Sequence, residues 1–140
     1  MCSIIGISGK AGSGKTTAAE FLVSELGYDR RSFAAGVKQE VAELLTESGV
    51  SFTEGNLYGT QAQRAAILSL PRGRSYFPPA LVAFLSWCNQ TGAPYSFRAL
   101  LQWYGTEYRR AQDPNYWCHK LITGFEVGGL YVVYDVGVET

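Results

Sequence analysis

Histidine, methionine and cysteine are scarce in this sequence. Its 140 residues include one histidine, one methionine and three cysteines. Cys2, Cys88 and Cys118 lie far apart and form no CxxC pair, which argues against a disulfide framework and against a zinc site. We therefore expect free thiols, as in a reducing cytosol.

Excess charge and long apolar runs are also missing. Twelve basic residues balance twelve acidic ones, so the chain lacks the field of a general nucleic-acid or membrane binder. Its apolar runs are far shorter than the roughly 20 residues of a membrane-spanning helix, and the N-terminus does not read as a signal peptide. The sequence thus predicts a cytoplasmic protein with no nucleic-acid or membrane partner.

The apolar residues that are present follow an alternating order of strands and helices. Hydrophobic residues make up 46% of the chain, enough for one domain with its own core. Glutamates in the helix after the second strand, including Glu40, are expected to face solvent. The predicted strands cover 3–8, which is expected to be buried, 31–34 and 130–135. The first predicted helix starts at Lys15 and has Gly27 as its C-terminal cap, and the second runs from 37 to Gly49. Three more cover 61–70, 79–89 and 97–111, and the last is capped by Asp113 and closed by Gly124.

A glycine-rich loop joins the first predicted strand to the first predicted helix. The stretch GKAGSGKT fits the phosphate-binding pattern G-x-x-x-x-G-K-[ST], and a preceding strand and following helix are the context that this motif requires. Glycines let successive N–H groups turn toward phosphate oxygens, and the helix N-terminus adds partial positive charge. The predicted nucleotide-binding residues are Gly9, Gly12, Ser13, Gly14, Lys15, Thr16 and Thr17.

The sequence also predicts a magnesium site with two protein ligands. The Thr16 hydroxyl is placed to ligate Mg²⁺ beside a bound nucleotide, while Lys15 reaches the β- and γ-phosphates. A second acidic ligand is expected at the end of a buried strand, and Asp135 closes the apolar run LYVVYD. An aspartate there can also serve as a turn residue.

The helix predicted at 97–111 carries a polar stripe. At helical spacing Arg98, Gln102, Gly105 and Arg109 lie on one side, away from an apolar face. Arginines suit anions, Gln102 can contact a base edge, and Gly105 permits close approach of a ligand. Periodicity alone favours the simpler interpretation, a solvated polar face.

The segment FRALLQWYGTEYRRAQDPNYW, residues 97–117, resembles phage-type deoxynucleoside monophosphate kinases. These have an R-x-L-L-Q-x-x-G-T-E-x-x-R block followed by D-P-x-x-W, and the glycine loop, SFAAGVK and VVYDV also match in order. The resemblance implies an α/β fold with a P-loop kinase-like parallel sheet flanked by helices and a helical acceptor-binding insertion. It also implies ATP with Mg²⁺ as donor and a deoxynucleoside monophosphate as acceptor.

Site residues follow from the same resemblance. It makes Lys15 and Arg98 catalytic candidates, and Arg109, one position before the last arginine of the block, is the third, in a protein located in the host cytoplasm if phage-encoded. Two other hypotheses stay open: a nucleotide-binding remnant without transfer activity, and another P-loop kinase such as a dephospho-CoA kinase. The implied acceptor-binding residues are Lys38, Arg98, Gln102, Thr106 and Arg109.

The pattern stops after VVYDV, where the family continues with an arginine and further strands. We therefore expect a truncated form with the last strands missing, which leaves one edge of the sheet open for a possible homo-oligomer. The predicted organisation is a single P-loop kinase domain over 1–140. Within it, residues 1–50 form the nucleotide-binding part, 51–125 the helical acceptor region and 130–136 the metal-side strand.

Overall fold

The computed structural model describes residues 3–8, 14–74 and 76–133. Within them the chain alternates short strands with helices, as the sequence predicts. The strands are β1 (Ser3–Gly6), β2 (Asp29–Arg31) and β3 (Leu130–Val133). The helices are α1 (Lys15–Leu26), α2 (Phe33–Glu47), α3 (Glu54–Tyr58), α4 (Gln61–Arg64), α5 (Pro79–Thr91), α6 (Phe97–Trp103), a π-helical turn (Tyr104–Tyr108), α7 (Arg109–Gln112) and α8 (Tyr116–Thr123).

The strands of the described residues form a parallel sheet in the order β1-β3-β2. Ser3 pairs with Leu130 and Asp29 with Tyr131, so the strand from the end of the chain lies between the two early ones. Parallel strands need a crossover connection, and α1 supplies the one from β1 to β2, which lie on either side of β3, while it packs on the sheet. This mixed α/β arrangement, with its small parallel sheet flanked by helices, is consistent with a P-loop kinase-like fold.

Burial within the sheet follows strand position. The last three residues of β3 are buried because that strand has a neighbour on each side. In β1 the prediction of a buried strand is wrong: Ile4 is 49% exposed. Among the described residues β1 pairs with β3 alone, so it is an edge strand.

The first helix begins and ends at glycines, as its sequence predicts. Gly14 precedes α1 at φ 90° and Gly27 follows it at φ 72°, both in the left-handed region that glycine tolerates. Its apolar face is less buried than the helical spacing indicates, since Phe21 and Leu26 are each more than half exposed. Ala19 is the residue of α1 that is fully buried.

The second strand and helix start earlier than expected. β2 covers Asp29–Arg31 instead of 31–34, and α2 already begins at Phe33. Gly49, at φ 71°, lies just beyond the end of α2, as predicted. Glu43 and Glu47 are exposed, but Glu40 is buried, which corrects the expectation that all three face solvent.

The helix predicted at 61–70 is limited to α4, Gln61–Arg64. A capping box starts it: the Thr60 side chain accepts from the Gln63 amide, and the Gln63 side chain accepts from the Thr60 amide. Beyond residue 65 the backbone pairs with a distant segment instead. The Leu68 amide donates to the Tyr95 carbonyl, and the Phe97 amide donates to the Ala66 carbonyl.

The helix before the last strand begins later than predicted. Asp113 follows the end of α7 in an extended conformation, and Asn115 is the residue that precedes α8. The expected cap at Asp113 is therefore wrong by two positions, whereas Gly124 does follow the end of α8. A turn through Gly128, at φ 81°, then leads into β3.

Two compact units make up the described chain. One contains the described parts of Met1–Gly36 and Asn115–Thr140, the other those of Val37–Pro114. The first holds the sheet with α1 and α8. The core of the second comes mainly from α2, α5 and α6 and includes Val41, Leu44, Leu45, Leu81, Phe84, Cys88 and Leu100. The single-domain organisation with its three segments stays a prediction.

The side chains of Trp103, Tyr104 and Trp117 are buried in the protein. Cys88 and Cys118 are free thiols, and Cys2 lies outside the described residues. No helix within 3–8, 14–74 and 76–133 combines the length and apolarity needed to cross a membrane.

Candidate functional site

Residues 9–13 of the glycine loop, which include Gly9, Gly12 and Ser13, lie outside the described residues, which resume at Gly14. The same holds for the proposed metal ligand Asp135. The described flanks have the order that the motif requires: β1 ends at Gly6, and α1 begins at Lys15. The strand-to-helix context of the motif is therefore present in the structure.

The first turn of α1 carries Lys15, Thr16 and Thr17. Lys15 is half-buried, and the two threonines are exposed. This first turn contains no acidic residue, and the first amides of any α-helix lack partners within the helix. Partial positive charge at such an end attracts anions, so this turn can hold a phosphate group. The individual roles of these residues stay predictions.

The predicted polar stripe of residues 97–111 is divided by a π-helical turn. Arg98 and Gln102, in α6, are exposed, whereas Gly105 is buried and Arg109 is partly buried. The Arg109 amide donates to the Tyr104 carbonyl five residues earlier, the spacing that defines a π-helix. The extra residue in this turn breaks the regular spacing on which the stripe was predicted.

Gly105 makes room for a neighbouring helix. A Cβ atom at this position would lie 3.2 and 3.3 Å from the two methyl carbons of Val37 in α2. The expectation that a ligand approaches the backbone here is therefore wrong, because a protein side chain already occupies the space. Thr106, next in the turn, donates its hydroxyl to the Gln102 carbonyl at 2.6 Å.

Arg109 is held in a cluster with Glu40 and Tyr104. The Arg109 Nη2 and Nε atoms each lie 3.0 Å from Glu40 Oε1, and Nε is also 3.0 Å from the Tyr104 hydroxyl. Tyr104 donates its hydroxyl to the same Glu40 oxygen at 2.7 Å. Gln112 is a third partner, because Arg109 Nη1 donates to Gln112 Oε1 at 3.0 Å. We call Glu40, Tyr104 and Arg109 the arginine cluster.

Burial and charge in the arginine cluster alter the titration of Tyr104. Burial, followed by the hydrogen bond to Glu40 and its negative charge, raises the Tyr104 pKa well above its usual value of 10.0. Arg109 acts in the opposite direction and only partly compensates. The tyrosine therefore stays protonated and can donate to the carboxylate throughout the physiological pH range.

Two members of the arginine cluster could not be assigned from apolar spacing. Glu40 is expected to face solvent, and the spacing gives no partner for the Tyr104 hydroxyl. One signal does point to Glu40: it lies three residues after Val37 and four before Leu44, both on the apolar face of α2. A glutamate at the margin of such a face is a candidate for a buried ion pair.

Lys38, the remaining predicted acceptor residue, contacts an aromatic ring. Its Nζ atom lies 4.9 Å from the centre of the Tyr58 ring, a cation–π geometry. Lys38, Arg98, Gln102, Thr106 and Arg109 belong to the second compact unit, and Lys15, Thr16 and Thr17 to the first. Within the second unit, Arg98 and Gln102 share α6 one turn apart, and Arg109 lies in the arginine cluster.

Metal ligands and sequence relatives complete the description of the site. The residues that the structure describes contain no group of three or more His, Cys, Asp or Glu side chains able to hold a metal ion.

No family model matches the chain. Over 61 residues it is 43% identical to the "Putative deoxynucleotide monophosphate kinase" of Acanthamoeba polyphaga mimivirus.

This similarity is partial. It covers 44% of this chain and 29% of the mimivirus protein. The chain therefore spans less than a third of the length of the curated relative that it matches. The match supports a kinase-like relationship; it does not extend to the phage type or to a truncation.

Proposed function

We propose that this protein transfers the γ-phosphoryl group of ATP to a deoxynucleoside 5′-monophosphate. The observation that carries the proposal is the 61-residue match to a deoxynucleotide kinase in a chain whose glycine-loop motif stands between a strand and a helix. The motif supports a nucleotide polyphosphate as the donor. The LLQ, GTE and DP blocks of residues 97–117 support a deoxynucleotide as the acceptor.

The donor side of the proposed site is the loop and the start of α1. Backbone amides of Gly9, Gly12, Ser13, Gly14 and Thr17 would surround the phosphates, and the Lys15 ammonium would neutralise the β- and γ-oxygens. The Thr16 hydroxyl and the Asp135 carboxylate are hard oxygen donors, which fits Mg²⁺. When bound, the ion neutralises charge that develops on the phosphate oxygens.

The acceptor side consists of Lys38, Arg98, Gln102, Thr106 and Arg109. In α6 the exposed positions of Arg98 and Gln102 allow them to contact a phosphate and a base edge. Arg109 contributes a guanidinium whose orientation is already held by the arginine cluster. These groups offset the repulsion between two polyanions and align them.

The proposed chemistry needs no general base. A phosphate monoester has its second pKa near 6, so its oxygens are ionised at neutral pH. One of these oxygens attacks the γ-phosphorus, a new O–P bond forms, the bond to the β-γ bridging oxygen breaks, and ADP leaves. Positioning and charge compensation are then the main contributions of the protein. His119, which is exposed, has no required part in this step.

The test is ADP formation from ATP and Mg²⁺ with each of the four common deoxynucleoside monophosphates, and with dephospho-CoA as a competing acceptor. We expect ADP formation that depends on a deoxynucleotide, and a loss of about 100-fold or more in Lys15→Ala, because a transition-state charge contact is removed. Lys120→Ala, a lysine of α8 in the same unit, is the matched control and should keep its activity.

Two outcomes would contradict the proposal in different ways. ATP binding without ADP formation from any acceptor would make the chain a nucleotide-binding protein without transfer activity. Transfer to dephospho-CoA alone would place it among other P-loop kinases.

A further inference from the structure

The short helix α3 presents an aromatic ring at the surface of the second compact unit. Leu57 is 1% exposed, whereas its neighbour Tyr58 is 54% exposed. Leu57 thus anchors α3 in the core, and α3 packs on α6. The same packing leaves more than half of the Tyr58 surface available to a ligand.

Hydrogen bonds hold the backbone around this ring. Asn56 joins two segments: its Oδ1 atom accepts from the Thr53 amide at 2.8 Å, and its Nδ2 atom donates to the Gln63 carbonyl at 2.9 Å. A helix of five residues is unstable by itself, so these contacts are needed to keep it in place. Tyr58 is therefore presented from a fixed position, which lowers the entropic cost of binding a ligand there.

Tyr58 lies beside a residue that the proposed function places at the acceptor. The Lys38 Nζ atom is 4.9 Å from the centre of the Tyr58 ring. Val37, the neighbour of Lys38, lies against Gly105, three residues after Gln102. The first turns of α2, α3 and the helical segment that carries Gln102 are therefore all in contact with one another. An exposed cation–π contact contributes little to stability, so stability alone is a weak reason for this pair.

The Lys38–Tyr58 pair matches the two chemically different ends of a nucleoside monophosphate. The phosphate is an anion, for which a lysine ammonium is a suitable partner. The base is a flat aromatic ring, and bases stack on aromatic side chains. Because every base has a π-face, such a contact strengthens binding without selecting one base.

We propose that Tyr58 binds the acceptor deoxynucleotide by stacking on its base, beside the phosphate contact of Lys38. This inference rests on the proposed function, which makes Lys38 an acceptor-binding residue. Tyr58 lies outside the segments that carry the family resemblance, so the resemblance gives it no role. It is a binding residue and takes no part in the transfer of the phosphoryl group.

The first test measures the KM for dAMP, dCMP, dGMP and dTMP. Tyr58→Ala is expected to raise each value about tenfold, because the stacking surface is lost. Tyr58→Phe keeps the ring and should stay within about twofold of wild type. The KM for ATP should not change in either variant. Tyr76→Ala, which removes an exposed tyrosine from the same unit, is the matched control and should behave as wild type.

A ligand without a base shows whether the ring acts by stacking. The compound 2-deoxyribose 5-phosphate has the sugar and the phosphate alone, so its inhibition constant should be equal in wild type and Tyr58→Ala. An equal loss of affinity for this compound and for the deoxynucleotides would overturn the inference, because it would show a structural role. An equal loss in Tyr58→Phe and Tyr58→Ala would also overturn it, since the ring is then not the group that binds.

Nuclear magnetic resonance gives a second measurement, which does not depend on a folded alanine variant. With labelled tyrosine rings, the Tyr58 signal is identified by its absence from Tyr58→Phe. Each deoxynucleotide should shift this signal, because a stacked base changes the magnetic environment of the ring, and 2-deoxyribose 5-phosphate should shift it much less. A Tyr58 signal that stays in place at saturating deoxynucleotide would overturn the inference.

Equilibrium binding without ATP separates this inference from the proposed function. If wild type binds deoxynucleotides but forms no ADP, the proposed transfer fails and the inference is judged on the dissociation constants and the Tyr58 signal. If ADP forms and Tyr58→Ala leaves every KM unchanged, the inference fails and the proposed function stands. Absence of binding of all four deoxynucleotides would overturn the inference as well.

Discussion

Arg109 is held by a carboxylate that stands 69 positions earlier in the chain. The helical spacing of the sequence predicts that Arg109 lies on a polar stripe, but the residue with which it pairs depends on how α2 packs. Glu40 illustrates the same point, because it lies at the margin of an apolar face and packing decides that it is buried. Tyr104 combines two uses, since its ring is in the core and its hydroxyl donates to Glu40.

The raised pKa of Tyr104 predicts a loss of stability at alkaline pH. In the unfolded chain this phenol ionises near its usual value of 10.0, while in the folded protein burial and Glu40 keep it protonated. Its contribution is thus fully present below that pH and declines above it. The free energy of unfolding of wild type, relative to Tyr104→Phe, should fall by up to about 1.4 kcal/mol per pH unit above pH 10.

Urea unfolding of both proteins from about pH 8 to about pH 11 measures this difference. Taking the difference between the two proteins cancels the titration of the other tyrosines and of the lysines. Parallel stability curves throughout this range would show that the Tyr104 pKa is close to that of the unfolded chain.

Helix ends are the best-predicted features of the elements. Glycine follows α1 in the left-handed conformation and also follows α8, as expected from its place after the last apolar residue. Helix length is predicted less well, since α4 ends at Arg64, three residues before Ile67 pairs with Ser96. The π-helical turn has no signal in apolar spacing, because regular periodicity assumes the same number of residues in each turn.

The two glycines, Gly27 after α1 and Gly124 after α8, should respond differently to replacement by alanine. Gly27 has φ 72°, with open space around an added Cβ, so Gly27→Ala should cost roughly 1 kcal/mol through backbone strain alone. Gly124 has φ −83°, which any residue adopts, so Gly124→Ala should be neutral or stabilise by up to about 1 kcal/mol.

Both glycines belong to the first compact unit, so chemical denaturation can compare the two variants on the same transition. Equal destabilisation would mean that the conformation of the backbone at these helix ends does not decide the effect.

At the scale of the whole described chain, the strands and helices form an α/β fold with a parallel sheet. The prediction of an α/β protein with a helix-flanked parallel sheet is confirmed. The position of β3 between β1 and β2 places the end of the described chain at the centre of the sheet, with Val132 fully buried. β1 is left as an edge strand among the described residues, and apolar edges favour pairing with another chain.

Self-association through the β1 edge stays a prediction, and solution mass can test it. We expect the mass from light scattering to rise above that of one chain as concentration increases. Ile4→Lys should lower this tendency, because a lysine on an edge strand opposes pairing. Val127→Lys, an exposed turn position in the same unit, is the control and should behave as wild type. A single-chain mass at every concentration would contradict the prediction.

Local sequence determined the order of strand, glycine loop and helix, the glycines at helix ends, and the helical character of residues 97–112. These features depend on backbone conformation and on neighbours a few positions away, so they can be predicted from short stretches of sequence. Tertiary structure alone decided the burial of Glu40, its contact with Arg109, the early end of α4 and the central place of β3. Each of these depends on the packing of segments that are far apart in the chain, and their relative geometry is set by the free energy of the assembled core.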